Sequence, residues 1–370
     1  MAAPERVPDG SRRLDRRAFL AGGAAAVAGL SLLTDAEAAD TAPAARAVPS
    51  RRVLGRTGLE VSAISFGGIQ IQNERLLDVA IDRGINLIHT SPGYGNGRSI
   101  ELFGKVMARR RQEVVLALKQ DPVGGIDAQL KILNTDHVDI LVPPLQSVDE
   151  MRRPELAEAY DKLKQQGKIR FSGYAGHNNV AEVMNLAIDL GFFDVLLVAY
   201  NLANRDELNP ILARAKKQGN LGFMAMKTAK DLEDASAHSA AFASLLENPQ
   251  VDTLLVGMSN FAEVERNVVT ASRKMGWLDR VRLHPYGDLP LLGCSLCGAC
   301  DHCPQGVAVA DVLRCGIYHQ RGERELAQQT YANLGARSLT ACDGCGQCEQ
   351  ACPRRRAVRD ELQRIGRALA

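Results

Sequence analysis

Eight cysteines near the C-terminus are the residues of this 370-residue chain best suited to chemistry. They form two runs: Cys294, Cys297, Cys300 and Cys303-Pro304, then Cys342, Cys345, Cys348 and Cys352-Pro353. Thiolates are soft donors that select zinc or iron–sulfur clusters. Gaps of two residues let three successive sulfurs reach three irons of one cubane while the chain bends around it. The expectation is therefore two [4Fe-4S] clusters. Zinc is an alternative, because it also takes paired cysteines, but two pairs suffice for a tetrahedral site and the Cys-Pro ending has no role there. A disulfide framework is a second alternative for an exported chain. Cysteines three apart are nevertheless poorly placed to bridge their neighbours. Cys315, the ninth cysteine, is expected to pack on a helix rather than to bind metal.

The second run resembles the bacterial ferredoxin pattern residue for residue, while the first has one residue fewer before its last cysteine. In two-cluster ferredoxins the fourth cysteine of each run ligates the other cluster. The resemblance thus implies one cluster on Cys294, Cys297, Cys300 and Cys352, and another on Cys342, Cys345, Cys348 and Cys303. Each run closing on its own cluster remains open. Residues 286–370 are read as a small ferredoxin-like domain that could scarcely build a sufficient core alone, with helices over Asp311–Arg321 and Glu323–Leu334.

The N-terminus reads as a targeting segment. Asp15-Arg16-Arg17-Ala18-Phe19-Leu20 resembles a twin-arginine export signal and precedes an apolar stretch from Ala18 to Leu33. Small residues at Ala36-Glu37-Ala38 suggest cleavage after Ala38. The division is then 1–38 signal peptide and 39–50 flexible linker. An uncleaved membrane anchor is the alternative, but the apolar run falls short of the ~20 residues a spanning helix needs. The twin-arginine route carries folded proteins, as clusters assembled in the cytoplasm require, so a periplasmic location is expected. Formal net charge is +2, which gives no indication of nucleic acid as a partner. The basic group Arg354, Arg355, Arg356, Arg359, Arg364 and Arg367 reads as a solvated helix face, or as a dock for an acidic redox partner protein.

Something must position this chemistry. Between residues 51 and 285, short apolar runs alternate with amphipathic ones. The strands expected are Val61–Phe66, Asn86–Thr90, Val114–Lys119, His137–Val142, Ile169–Tyr174, Val195–Tyr200, Leu221–Met226 and Thr253–Gly257. The helices expected are Asn73–Arg83, Ser99–Arg109, a short Ala128–Leu133, Met151–Gln166, Val180–Leu190, Asp206–Lys217, Ala235–Glu247 and Phe261–Arg273. Eight such units point to an α/β fold of the (β/α)8 TIM-barrel type. A doubly wound sheet is disfavoured because no Gly-x-Gly-x-x-Gly follows the first strand.

Three segments resemble the aldo/keto reductases: Arg52–Ser62, the loop Thr90-Ser91-Pro92-Gly93-Tyr94-Gly95, and Gly257-Met258-Ser259-Asn260 through Asn267. The chain is similar to the branch with a C-terminal ferredoxin-like extension. That resemblance implies carbonyl chemistry on a tetrad of Asp, Tyr, Lys and His. Tyr94 and Lys119 match the tyrosine and lysine, the lysine being expected to lower the phenol pKa toward neutrality. The aspartate is replaced by His89, read as an acid or base near pH 7, and the histidine by Pro144. His177 is a weaker site candidate. The resemblance also implies NADP(H), with Gly257, Ser259, Asn260 and Asn267 at the cofactor-phosphate helix. Ala175, Gly176 and Leu197 occupy the nicotinamide-contact positions and cannot supply the family's side-chain hydrogen bonds there. Three readings follow: an iron–sulfur oxidoreductase acting on a small molecule in the barrel pocket, an NADPH-dependent carbonyl reductase, and an electron carrier that uses the barrel to dock a partner.

Overall fold

A computed structural model describes residues 47–370, except 231, 233, 288–293, 295, 296, 321, 322 and 370. The export signal and residues 39–46 of the linker lie outside the described residues. Among the described residues no helix is long and apolar enough to cross a membrane.

Eight parallel strands close into a barrel. They are β3 (Ile64–Gly67), β4 (Leu87–Thr90), β5 (Val115–Leu118), β6 (Val138–Leu141), β7 (Ile169–Gly176), β8 (Val195–Ala199), β9 (Gly222–Met226) and β10 (Thr253–Gly257). Closure comes from β10 on β3, with Leu254 opposite Ile64 and Gly257 opposite Gly67. The outer helices are α1 (Glu74–Asp82), α2 (Arg98–Arg110), α3 (Asp127–Ile132), α4 (Val148–Met151), α5 (Glu155–Gln165), α6 (Val180–Leu190), α7 (Arg205–Gly219), α8 (Ala235–Leu246), α9 (Phe261–Ala271) and α10 (Trp277–Leu283). One core lies between strands and helices. A second fills the barrel with Leu87, Val115, Ile140, Val195, Leu197 and Met224.

Two expected elements divide. The run Val61–Phe66 splits at Ala63, whose amide donates to Ser50 O at 2.8 Å. Its first part is β2 (Glu60–Ser62), paired antiparallel with β1 (Arg51–Val53). Leu54 and Val61 of this hairpin are fully buried among the barrel-filling side chains and close the base. The run Met151–Gln166 splits at Pro154 into α4 and α5 because a residue preceding proline resists helical geometry. The expected short third helix is present as the six residues of α3.

Beyond the barrel lie α11 (Val309–Gln320), α12 (Arg324–Ala332), α13 (Gln347–Gln350) and α14 (Val358–Leu369). Their shared core is small: Val307, Val309, Val312, Leu334, Val358, Leu362 and Ile365, with Cys300, Cys303, Cys348 and Cys352 packed at its edge. This segment sits across the barrel mouth, and Ala47–Ala370 is one compact unit. The boundary drawn at 285 marks a change of architecture within that unit.

Candidate active site at the barrel mouth

Local bonds fix the loop after β4. Thr90 Oγ1 meets Ser99 Oγ at 2.8 Å, and Ser99 Oγ donates to Gly68 O at 2.8 Å. Ser91 Oγ donates to Lys119 O at 3.0 Å, and the Tyr94 amide donates to Ser91 O at 3.1 Å. Tyr94 is thereby held over the end of β5, where Lys119 Nζ lies 5.4 Å from its ring centroid. His89, on β4, stacks edge-on at 5.9 Å. Tyr94, Lys119 and His89 line one crevice of about 1880 Å³ together with His177 and Pro144. Strand C-termini of such barrels form the active-site face, so the residues singled out by sequence converge where chemistry is expected.

The helix α11 adds groups that no sequence motif marked. Lys227 follows β9 in a left-handed backbone conformation at φ 57°, a strain that collects at functional sites. Its Nζ donates to Tyr318 Oη at 2.6 Å and lies 4.3 Å from that ring's centroid. Arg314 pairs with Asp311 at 2.8 Å, and Asn178 Nδ2 donates to Asp311 at 3.4 Å. Lys227 stands directly after a barrel strand, a signal by which it could have been found. Arg314 and Tyr318 arrive from a helix nearly a hundred residues later.

Burial and these charges set the protonation states. Burial, with a contribution from Lys119, pushes His89 down to about 3. It therefore stays a neutral imidazole near pH 7 and does not serve as the acid or base expected there. His89 is 2% exposed, and its Nε2 has no hydrogen-bond partner among the described residues. Burial likewise pushes His177 well below its ordinary range, with Lys119, Arg314 and Lys227 adding to the effect. The Tyr94 phenol is raised rather than lowered: burial dominates, Tyr318 adds to it and Arg314 opposes it. The expected lowering by Lys119 fails because the ammonium lies over the ring instead of at the hydroxyl. Lys119 itself falls to about 7, through burial and then repulsion from Arg314 and Lys227, with Asp311 opposing.

A stability prediction follows from that value. Below about pH 7 both folded and unfolded chains carry the Lys119 ammonium, so the cost of burying it is felt in full. Between about 7 and 10.5 the unfolded chain binds more protons, and stability rises with pH. Lys119→Met should therefore raise the melting temperature more at pH 6 than at pH 9. Equal shifts at both pH values would contradict the assignment.

The helix start expected to hold a cofactor phosphate is already occupied by side chains. Asn260 is an exposed N-cap that accepts from the Glu263 amide. Glu263 in turn accepts from Ser259 N at 2.6 Å and from Ser259 Oγ at 3.1 Å. A carboxylate therefore takes the position an anion would want. Gly257, Ser259 and Asn267 do line the same crevice as Tyr94, and Arg266 Nε beside them is buried without a partner among the described residues.

The cysteines act on one another within the C-terminal segment. Burial raises the Cys300 thiol, and Asp301, Cys294 and Cys297 raise it further. Burial also raises Cys348, with Cys342 and Cys303 adding to it. Cys342 and Cys345 are exposed. Cys315 is fully buried on α11, as expected. Among the described residues no group of three or more His, Cys, Asp or Glu side chains gathers as it would around a metal ion.

The first cysteine loop docks against the rim after β7. Gln146 Oε1 accepts from the amides of His177 and Asn178, and Asn179 Nδ2 donates to Gln146 O. Gly298 lies on Asn179 so closely that an added Cβ would stand 1.5 Å from Asn179 Oδ1, and its φ is +75°. Gly298→Ala is expected to destabilise by about 2–4 kcal/mol, combining left-handed strain with overpacking. Urea unfolding measures this, and Asn179→Gly in the same chain should recover part of the loss. A neutral Gly298→Ala would mean that the loop does not dock there.

The barrel and its mouth have known counterparts. The aldo/keto reductase family model matches residues 64–231, from β3 through β9. The barrel is similar to the aldo/keto reductases over that segment, and the protein is an oxidoreductase. L-galactose dehydrogenase of Arabidopsis thaliana is 29% identical over 282 residues, using 60% of this chain and 88% of that protein. An uncharacterised oxidoreductase of Bacillus subtilis, YqkF, is 24% identical and is matched over 92% of its length. A solved Pseudomonas aeruginosa protein assigned as an aldo-keto reductase superposes with a TM-score of 0.54 at 28% identity, covering 61% of this chain and 97% of the other. These relatives are matched almost end to end, over about 60% of the present chain.

The tetrad that the aldo/keto reductase resemblance implies is altered here at two positions, His89 and Pro144. Pro144 forms a bridge to Ala175 on β7 and carries no donor. Tyr94, Lys119 and the neutral imidazole His89 remain.

Proposed function

We propose that this protein is an aldo/keto-reductase-like oxidoreductase whose electrons pass through two [4Fe-4S] clusters bound by the eight C-terminal cysteines. The observation that carries the reading is the position of Cys294. It lines a cavity of about 340 Å³ that is also walled by His177, Lys227 and Arg314 at the barrel mouth. The donor type suits the group, since thiolates are soft ligands. Cys294 and Cys297 act on Cys300, and Cys342 and Cys303 act on Cys348, while no three of them gather as around a metal ion among the described residues. A bound cluster exchanges electrons singly with a partner. The chain's own part is acid–base work: Tyr94 presents a protonated phenol, Lys119 changes charge near neutrality, and His89 offers a neutral hydrogen-bonding nitrogen.

The first run lies nearer the pocket, and the second presents exposed Cys342 and Cys345 to a redox partner protein. Arg354 and Arg356 are spent within the chain, on Ala203 O and Glu361. The basic group therefore offers a partner less free charge than its sequence suggests. The twin-arginine motif supports export of the folded protein to the periplasm. Replacing Arg16 and Arg17 by lysine should leave the protein in the cytoplasm by fractionation.

NADPH-dependent carbonyl reduction is the second reading. Arg266 Nε favours it, since it is buried without a partner among the described residues and its residue lines the crevice beside Asn267. The Glu263 carboxylate at Ser259 opposes it. Anaerobic iron and sulfide analysis with EPR decides the first reading: two cluster signals are expected, and colourless or zinc-bearing protein would overturn it. Fluorescence titration decides the second. Weak NADPH binding is expected, and a micromolar dissociation constant would favour the nicotinamide enzyme.

A further inference from the structure

Charge is distributed unequally between the two ends of the barrel. At the base, the buried carboxylate of Asp139 bonds Arg111 and Arg170, and that of Asp252 bonds Lys216 at 2.6 Å. At the mouth the balance is reversed. Lys119, Lys227 and Arg314 line one crevice, and Asp311 is the carboxylate that acts among them. It is already engaged by Arg314 and Asn178. Glu263, Glu323 and Glu325 also line the crevice, but none is among the charges that act on Lys119. Cations removed from water are costly unless an anion compensates them. Lys119 Nζ has no hydrogen-bond partner among the described residues, and Lys227 Nζ has only the neutral Tyr318 hydroxyl. An independent sign of an expected ligand is His89, whose buried Nε2 lines the same crevice without a partner among the described residues.

We propose that this crevice takes a substrate bearing a carboxylate in addition to the group that reacts, with the carboxylate seated between Lys227 and Arg314 and the reacting oxygen turned toward Tyr94 and His89. The proposal rests on the oxidoreductase reading and adds the substrate class. Arg314 suits the role because its guanidinium carries five N–H donors, more than one carboxylate can use. Lys227 suits it because its left-handed backbone fixes the direction of approach. Charge-assisted hydrogen bonds of this kind are stronger than neutral ones. The seat depends on α11, which lies outside the matched family segment 64–231.

Calorimetry on the anaerobic, full-length, metal-loaded protein tests this with para-carboxybenzaldehyde against benzaldehyde. The carboxylate probe should bind at least about tenfold tighter, the scale of one charge-assisted hydrogen bond. Lys227→Met should abolish that preference, and Arg314→Gln should do the same. Unchanged iron content and EPR spectra verify that each variant is folded. Equal affinity for the two probes, no binding of the carboxylate probe, or a preference retained in both variants would each overturn the proposal. Failure of the iron–sulfur reading would appear instead as missing iron, with the probe preference intact.

Discussion

Cys300→Ala is expected to lose half of the iron and to free the C-terminal segment from the barrel mouth. The reason is the size of the core beneath it. Seven buried apolar residues hold α11 through α14 together, and four cysteines pack at their edge. Such a core contributes little by itself, whereas a structural metal centre can contribute on the order of 10 kcal/mol to folding. Cys300 lies among Cys294, Cys297 and Asp301, on the turn that caps α11 through the Ala310 amide at 2.8 Å from Asp301 Oδ1. Losing its thiolate should therefore loosen the helix that carries Arg314 and Tyr318. Hydrogen exchange should speed up by orders of magnitude across residues 297–369 and change little in β3 through β10. Cys315→Ala is the control: this buried thiol should be replaceable without loss of iron. Iron content unchanged in Cys300→Ala would remove the residue from the ligand set.

Tyr94→Phe should lower turnover about 10²- to 10⁴-fold, the usual contribution of a positioned proton donor. The cluster spectra should not change, because Tyr94 is held by the loop after β4 and is not one of the candidate cluster ligands. A pH arm sharpens the test. Lys119 titrates at about 7, held down by burial and then by Arg314 and Lys227. Activity should therefore change near pH 7. Arg314→Gln removes one repelling charge, so the inflexion should move upward. Unaltered electron transfer in Tyr94→Phe, with no small-molecule turnover in the parent protein, would select the electron-carrier reading. An inflexion that stays in place in Arg314→Gln would mean that another group titrates.

The barrel was legible because its signals are local. Short apolar runs alternate with helices whose apolar residues recur at three and four, and every expected strand appears within a residue or two, apart from the division at Ala63. The two divided elements mark the limit of that reading. Proline at 154 and the Ser50–Ala63 bond act against continuity that hydrophobic pattern alone suggests. Tyr94 and Lys119 were found through the resemblance to aldo/keto reductase motifs, and His89 through its offset from Tyr94 and its place at a strand end, where parallel barrels carry their active-site face.

Their chemistry was not legible. His89 as an acid or base near neutrality, and Tyr94 as a lowered phenol, both assumed exposure and contacts that only packing sets. Burial reverses both expectations, and it makes Lys119 the group that changes charge near neutrality.

The sequence by itself determined the resemblance of the barrel, the order and approximate bounds of its strands and helices, and the eight thiols available for metal. Each of those depends on residue type and short-range spacing. Only the tertiary structure decided that α11 crosses the barrel mouth, that Arg314 and Tyr318 join Lys119 and Lys227, and that Cys294 shares a wall with His177. Those meetings join residues up to two hundred positions apart. They arise from the burial of apolar helix faces, which leave no short-range trace of the polar groups they bring together.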